Sequence, residues 1–286
     1  QVDVSNNGEL YALIHRQFRN RVREPGDAEY RLLYQPAQAS RATNRRLDFG
    51  ERFITDLHLK IDRNGRAMLA GFWSEQSPSQ IIGPLYGRLD LARDTVFAMK
   101  ARRFSDQFLQ NYLSPKQIDK GRELRDFYLD DMILRSDGGM LILAESYSVS
   151  SSSYRDIYGF WYTRELLHYE DVLLISMSGQ GQIEWASAAE KSQSGEFDRQ
   201  LSYASFIGSR EIYLFYRAHL KGFGANVYVR RVSFDGKVGA PKPFFKNFRN
   251  NDTFYRSATE QIANDRGIMV YMRSRGKTFT MLKVAF

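Results

Sequence analysis

Carboxylates are the side chains of this 286-residue sequence best suited to chemistry, and Asp126, Asp130, Asp131, Glu145 and Asp171 fall close together in it. Two carboxyl groups placed across a sugar ring cleave a glycosidic bond when one is a protonated acid and the other a base or nucleophile. Trp73, Trp161 and Tyr158 are of the type that stacks on sugars. The same acids also suit the entries and turns of β-hairpins, where Asp accepts backbone N–H groups. The pattern favours that structural use, and a carbohydrate-active enzyme is the alternative reading.

Other chemistries find little support. The four histidines, His15, His58, His168 and His219, form none of the short spacings that assemble a local metal site, and there is no cysteine to supply a thiolate. No Gly-x-Ser-x-Gly elbow occurs; Ser178-Gly179 and Gly208-Ser209 sit in turn-like settings. Gly179-Gln180-Gly181 and Gly222-Phe223-Gly224 lack the following helix of a phosphate loop. Asp62-Arg63-Asn64-Gly65 lacks the later Glu of a calcium loop and reads as a turn. The expectation is no catalytic residue, no metal and no cofactor.

These residues must be positioned by strands, because the recurring period is two. Phe53–Ile61 alternates through Leu57, Leu59 and Ile61, with Ile54 out of register, then turns at Asp62–Gly65 into Ala67–Trp73. Further hairpins read as Tyr86–Leu91 with Thr95–Ala101, Phe127–Arg135 with Met140–Tyr147, and Val172–Met177 with Ile183–Ala189. Tyr203–Ile207 pairs with Glu211–Arg217, Val227–Phe234 with Lys237–Ala240, and Ser257–Ala263 with Ile268–Arg273. Ser105–Leu113, begun by a capping residue, reads as a short helix or turn between sheet units. Ser148–Ser153 and Gly222–Gly224 read as flexible loops.

The hairpins pair into successive units of four antiparallel strands. This is an all-β chain, a β-propeller-like array of about four or five blades with few short helices. Residues 1–286 read as a single domain, with Leu10–Phe18 supplying the strand missing from the last unit and so closing the ring. Nearly continuous apolar runs such as Leu141–Ala144 and Val172–Ile175 fit strands covered on both faces. The terminal strand Thr278–Phe286, ending in an aromatic, raises a further alternative, an integral outer-membrane β-barrel.

Phe127–Gly139 continuing to Glu145-Ser146-Tyr147 resembles one half of a motif in exported Bacteroidota proteins of unassigned activity. Asp171–Ile175, Gly181–Ala186 and Lys191-Ser192-Gln193 resemble the other half, and Ser202–Phe206, Ile212–Tyr216 and the closing strand fit the same pattern. The likeness spans residues 124–286. It implies a propeller-like protein of the cell envelope, attached to outer-membrane machinery, with no catalytic residues to carry over. A chain that begins at Gln1 is in keeping with a mature protein whose secretory signal has been removed. The expected location is the periplasm or the outer membrane.

The partner-binding candidates lie in the aromatic insertion Tyr154–Tyr169: Tyr154, Arg155, Tyr158, Phe160, Trp161, Tyr162 and Arg164. Following the serine run, they read as one long connection, the usual place for a binding surface on a rigid scaffold. The expected partner is an outer-membrane or envelope protein complex. A net charge of +8, from 41 Lys plus Arg against 33 Asp plus Glu, adds peripheral contact with anionic lipid or glycan. The charge is dispersed and no docking element accompanies it, so nucleic acid is not expected.

Overall fold

A computed structural model describes residues 1–18, 21–198, 201–220, 224–245, 252–273 and 278–286. Gly222 and Phe223 of the expected glycine loop, and the side chain of His219, lie outside what is described. Strands hold 61% of residues and helices 5%, so the chain is all-β, built from several four-stranded antiparallel sheets. Its contacts cluster into two compact units, Gln1–Ala144 with Leu173–Ala186 and Glu145–Val172 with Ser187–Phe286. The chain passes between units inside strands rather than through a linker, which is why composition marks no boundary.

In the first unit, an N-terminal sheet runs in the order Val2–Val4, Leu10–Gln17, Ala28–Gln35, Thr43–Leu47. The strand expected to complete the last sheet therefore lies inside its own sheet. Leu10–Gln17 pairs along its whole length with Ala28–Gln35, and its first residues pair with Val2–Val4. Local antiparallel neighbours close a shorter loop than a partner at the far end of the chain.

The second sheet runs Phe53–Ile61, Ala67–Ser74, Gly83–Asp90, Thr95–Ala101, the pairs the alternation predicts. Its register slips between Ile54 and Asp56, where the apolar alternation also breaks. Every residue of Ala67–Ser74 is buried. Leu57, Leu59, Leu69 and Leu85 join Tyr11, Leu13 and Leu32 of the N-terminal sheet in one core. The Tyr11 hydroxyl donates to Gly65 O at 2.8 Å, and Gln1 Oε1 and Asp3 Oδ2 accept from Leu59 N and Ile61 N.

Of the two short α-helices among the described residues, Asp106–Leu109 is capped by Ser105 as expected. The other, Pro115–Asp119, is begun by a Ser114–Gln117 capping box, a signal present in the sequence.

A third sheet orders Phe127–Leu134, Met140–Arg155, Trp161–Met177 and Ile183–Ala189, with Gln193–Gly195 also paired to Trp161–Met177. The first turn is locked electrostatically. Gly138 takes φ +82°, Asp137 accepts the Gly139 N–H at 3.0 Å, and Arg135 bridges Asp137 and Glu184 while donating to Ser176 at 2.8 Å.

In the second unit a four-stranded sheet runs Tyr203–Ile207, Glu211–Leu220, Gly224–Ser233, Lys242–Pro243. Lys237–Ala240, the expected fourth strand, contributes only a bridge between Val238 and Val232. Pro241 and Pro243 have no N–H to donate, which keeps this edge strand to two residues.

The last sheet has three strands, Thr253–Ala263, Arg266–Arg273 and Thr278–Ala285. Phe206, Phe215, Val227, Phe254 and Met269 form its shared core with the preceding sheet.

The integral barrel is overturned: all these sheets are open, and none of the described strand orders closes on itself. The terminal Phe286, which suggested a barrel, has its ring 5.1 Å from Phe206 and 5.2 Å from Tyr213. It packs against the core of its own unit.

Two outcomes follow from this packing. A Cβ at Gly71 would sit 2.1 Å from Asp56 O, so Gly71→Ala lowers the unfolding free energy by roughly 2 kcal/mol or more. Gly26→Ala, where a Cβ meets nothing within 4 Å, leaves the urea midpoint unchanged and is the control.

The carboxyls of Glu184, through its hydrogen bond to Arg135, and of Asp137 are held below their ordinary values. Burial alone would raise Asp137, but the Gly139 N–H and Arg135 outweigh it. Their stabilisation is fully present above the ordinary carboxylate range and is lost as pH falls below it. Arg135→Met therefore moves the acid-unfolding midpoint to higher pH; an unchanged midpoint by circular dichroism would refute the lock.

Candidate functional site

The sequence places Ser148–Ser153 in a flexible loop and Tyr154–Tyr169 in a connection. The structure corrects both: Met140–Arg155 and Trp161–Met177 are the two arms of one long β-hairpin. Serine does not break a strand when an opposite strand satisfies its backbone, and here hydroxyls also meet across the ribbon. Ser153 Oγ lies 3.2 Å from Thr163 Oγ1, and Ser150 Oγ lies 2.7 Å from His168 Nε2. His168 Nδ1 in turn lies 2.9 Å from Ser194 Oγ. The Ser–His–Ser chain is an exposed cross-strand contact that neighbour spacing could not reveal.

Asp156 makes the tip. Its Oδ1 accepts the N–H groups of Tyr158 and Phe160, each at 2.9 Å, and Gly159 adopts φ +89° to close the turn. The Asp-x-x-Gly pattern between two aromatic runs was the available signal for this hairpin.

The tip carries its apolar groups into solvent. Ile157 is 91% exposed, Tyr158 79%, Trp161 71% and Phe160 65%, with Tyr154, Tyr162 and Val149 each about half exposed. Ile157 and Val149 are members that the sequence reading missed. The rings of Tyr154 and Tyr162 stack at 5.7 Å, and strand alternation sets Trp161 on the face opposite Tyr162. Aromatic surface thus surrounds the ribbon end. The two arginines brace it: Arg155 Nε donates to Gly159 O at 2.8 Å, and Arg164 pairs with Glu196.

The hairpin base is polar and closed. Glu145 is buried and forms an ion pair with Lys191, whose Nζ also donates to Gln193 Oε1 at 2.9 Å. The Lys191 backbone N–H donates to Asp171 Oδ1 at 3.2 Å, so one residue ties both arms. Ser202, buried at φ +68°, donates to Glu145 Oε2 and accepts from Arg256. A non-glycine residue held at that φ costs about 1 kcal/mol or more, which these contacts offset. Tyr169 lies beside the cluster, its hydroxyl pushed above the ordinary range by burial and by its hydrogen bond to Asp198. The edge strand Gln193–Gly195 pairs with Leu167–Tyr169 and no further toward the tip.

The carboxylates singled out in the sequence are thereby placed. Glu145 and Asp171 converge on Lys191 in the second unit, in structural roles. In the first unit, Asp131 accepts from Lys60 Nζ at 2.7 Å, and Asp126 occupies an exposed turn at φ +60°. Asp130 is exposed in the strand Phe127–Leu134. Among the described residues, no three His, Asp or Glu side chains group as a metal site.

No model of a known protein family matches the chain, and no curated protein matches it either.

Breaking a buried ion pair strands a charge. Lys191→Met lowers stability by about 3–5 kcal/mol, and the double change Glu145→Leu with Lys191→Met recovers most of that loss in urea unfolding. A single variant as stable as the parent would show that the pair does not tie the hairpin base.

Proposed function

We propose that the chain is a non-catalytic binding and assembly protein of the bacterial cell envelope, and that the tip of the long hairpin docks onto an outer-membrane protein. One observation carries this reading: Ile157, Tyr158, Phe160 and Trp161 stand in solvent at the end of a ribbon whose base is fastened by a buried ion pair. Large apolar groups displayed on a braced turn lose little freedom on binding, and Tyr and Trp recur among residues that dominate interface energies. They pack in neither of the cores described above.

In this reading the sheets are blades of a propeller. The consecutive antiparallel order of strands and the full burial of Ala67–Ser74 support it. Export to the periplasm or outer membrane rests on the resemblance of residues 124–286 to exported Bacteroidota proteins. The excess of basic residues supports secondary contact with anionic lipid or glycan.

A photo-crosslinking residue at position 158 tests the docking role in native envelope. The expected result is one dominant adduct with an outer-membrane protein, identified by mass spectrometry. Replacing Phe160 and Trp161 with Ser weakens binding of that protein at least tenfold without shifting thermal unfolding. Absence of any protein adduct, or unaltered affinity in the Ser variant, would defeat the proposal.

A further inference from the structure

A separate feature lies in the first unit and shares no residue with the docking role. A cavity of about 560 Å³ opens between the Asp62–Arg66 turn and the Leu134–Gly138 segment. Four arginines line it, Arg63, Arg66, Arg88 and Arg135, against two carboxylates, Asp62 and Asp137.

The carboxylates are already engaged. Asp62 Oδ1 accepts the backbone N–H groups of Asn64 and Arg66 at 2.8 and 2.9 Å, and Asp137 pairs with Arg135. Arg135 is also bound to Glu184 and so is neutralised. Among the described residues, Arg63, Arg66 and Arg88 have no carboxylate within 4.0 Å.

Two of these cations share one aromatic ring. The guanidinium carbons of Arg66 and Arg88 each lie 5.2 Å from the centroid of the Phe97 ring. Arg88 Nε is buried without a hydrogen-bond partner. A phenyl ring orients guanidinium groups but does not cancel their charge. Like charges gathered in a concavity repel one another, and an anion bound between them removes that repulsion while supplying acceptors for the planar donor forks.

We propose that this cavity binds a phosphate monoester carried on a sugar-sized group, with Arg66 and Arg88 as the principal phosphate ligands and Arg63 at the rim. Its volume falls within the range of organic-ligand pockets and far exceeds one phosphate ion, so the phosphate fills only part of it. Asn64 and Ser136 add uncharged hydrogen-bonding groups to the same wall, suited to sugar hydroxyls. A phosphorylated lipid headgroup and a soluble sugar phosphate present the same chemistry.

The experiment titrates the intact protein with a hexose 6-phosphate, the unphosphorylated hexose and inorganic phosphate by calorimetry. In parallel, it is sedimented with phosphatidylcholine vesicles with and without phosphatidic acid. Binding of the hexose phosphate, with the bare hexose silent and inorganic phosphate at least tenfold weaker, supports a soluble ligand. Retention on phosphatidic acid vesicles without binding of the hexose phosphate assigns a lipid headgroup instead.

Arg66→Met with Arg88→Met weakens either interaction at least tenfold. Arg63→Gln, at an exposed position, gives a smaller loss and guards against misfolding of the double variant. No binding of any phosphorylated probe at millimolar concentration overturns the proposal, as does affinity unchanged in both variants. Inorganic phosphate as tight as the hexose phosphate overturns the sugar-sized ligand. Docking of the hairpin tip to an envelope protein is measured independently and stands or falls apart from these outcomes.

Discussion

The ion pair between Glu145 and Lys191 is shut away from water, and the second unit is arranged around keeping both charges satisfied. Neither group tolerates burial alone, so the arms of the hairpin, the strand carrying Gln193 and the residue Ser202 are drawn to one point. A two-stranded ribbon is marginal in water by itself. Fastening its base lets the far end stand in solvent with a set of aromatic groups that the cores do not use.

Polar groups in this molecule divide into those that settle one another and those that do not. At the third sheet's first turn, Arg135, Asp137, Glu184 and Ser176 settle one another's charges and hydrogen bonds. In the cavity that Arg135 and Asp137 also line, Arg66 and Arg88 share a phenyl ring and form no ion pair among the described residues. At the hairpin tip, Asp156 meets the backbone's needs while Ile157 and Tyr158 meet none. Structural clusters are closed and electrically balanced; the two places read as binding sites are open and unbalanced, one in apolar surface and the other in charge.

Much of the strand plan was legible in the sequence. The hairpins across Asp62–Gly65, Asp137–Gly139 and Gly179–Gly181 appear where alternation and turn residues put them, and the slip at Ile54 is a bulge. Alternation and positive-φ turns are local properties, so neighbouring residues suffice to read them. The candidate tip residues were also legible as aromatic insertions. Their setting was not, because a run of serines has the composition of a linker and its strand partners stand beyond the turn. The same limit hid the sheet role of Leu10–Gln17, whose apolar pattern fits any partner strand of suitable register.

By itself the sequence determined an all-β chain of consecutive hairpins, since the period of its apolar residues and the chemistry of its turns admit little else. Only the tertiary structure decided that Lys191 neutralises Glu145, that Ser202 bears an unusual backbone angle beside them, and that three arginines line a cavity whose two acids are engaged by other groups. Those facts depend on distances between residues far apart in the chain. Charge, unlike strand periodicity, takes its meaning from whatever stands within a few ångströms of it.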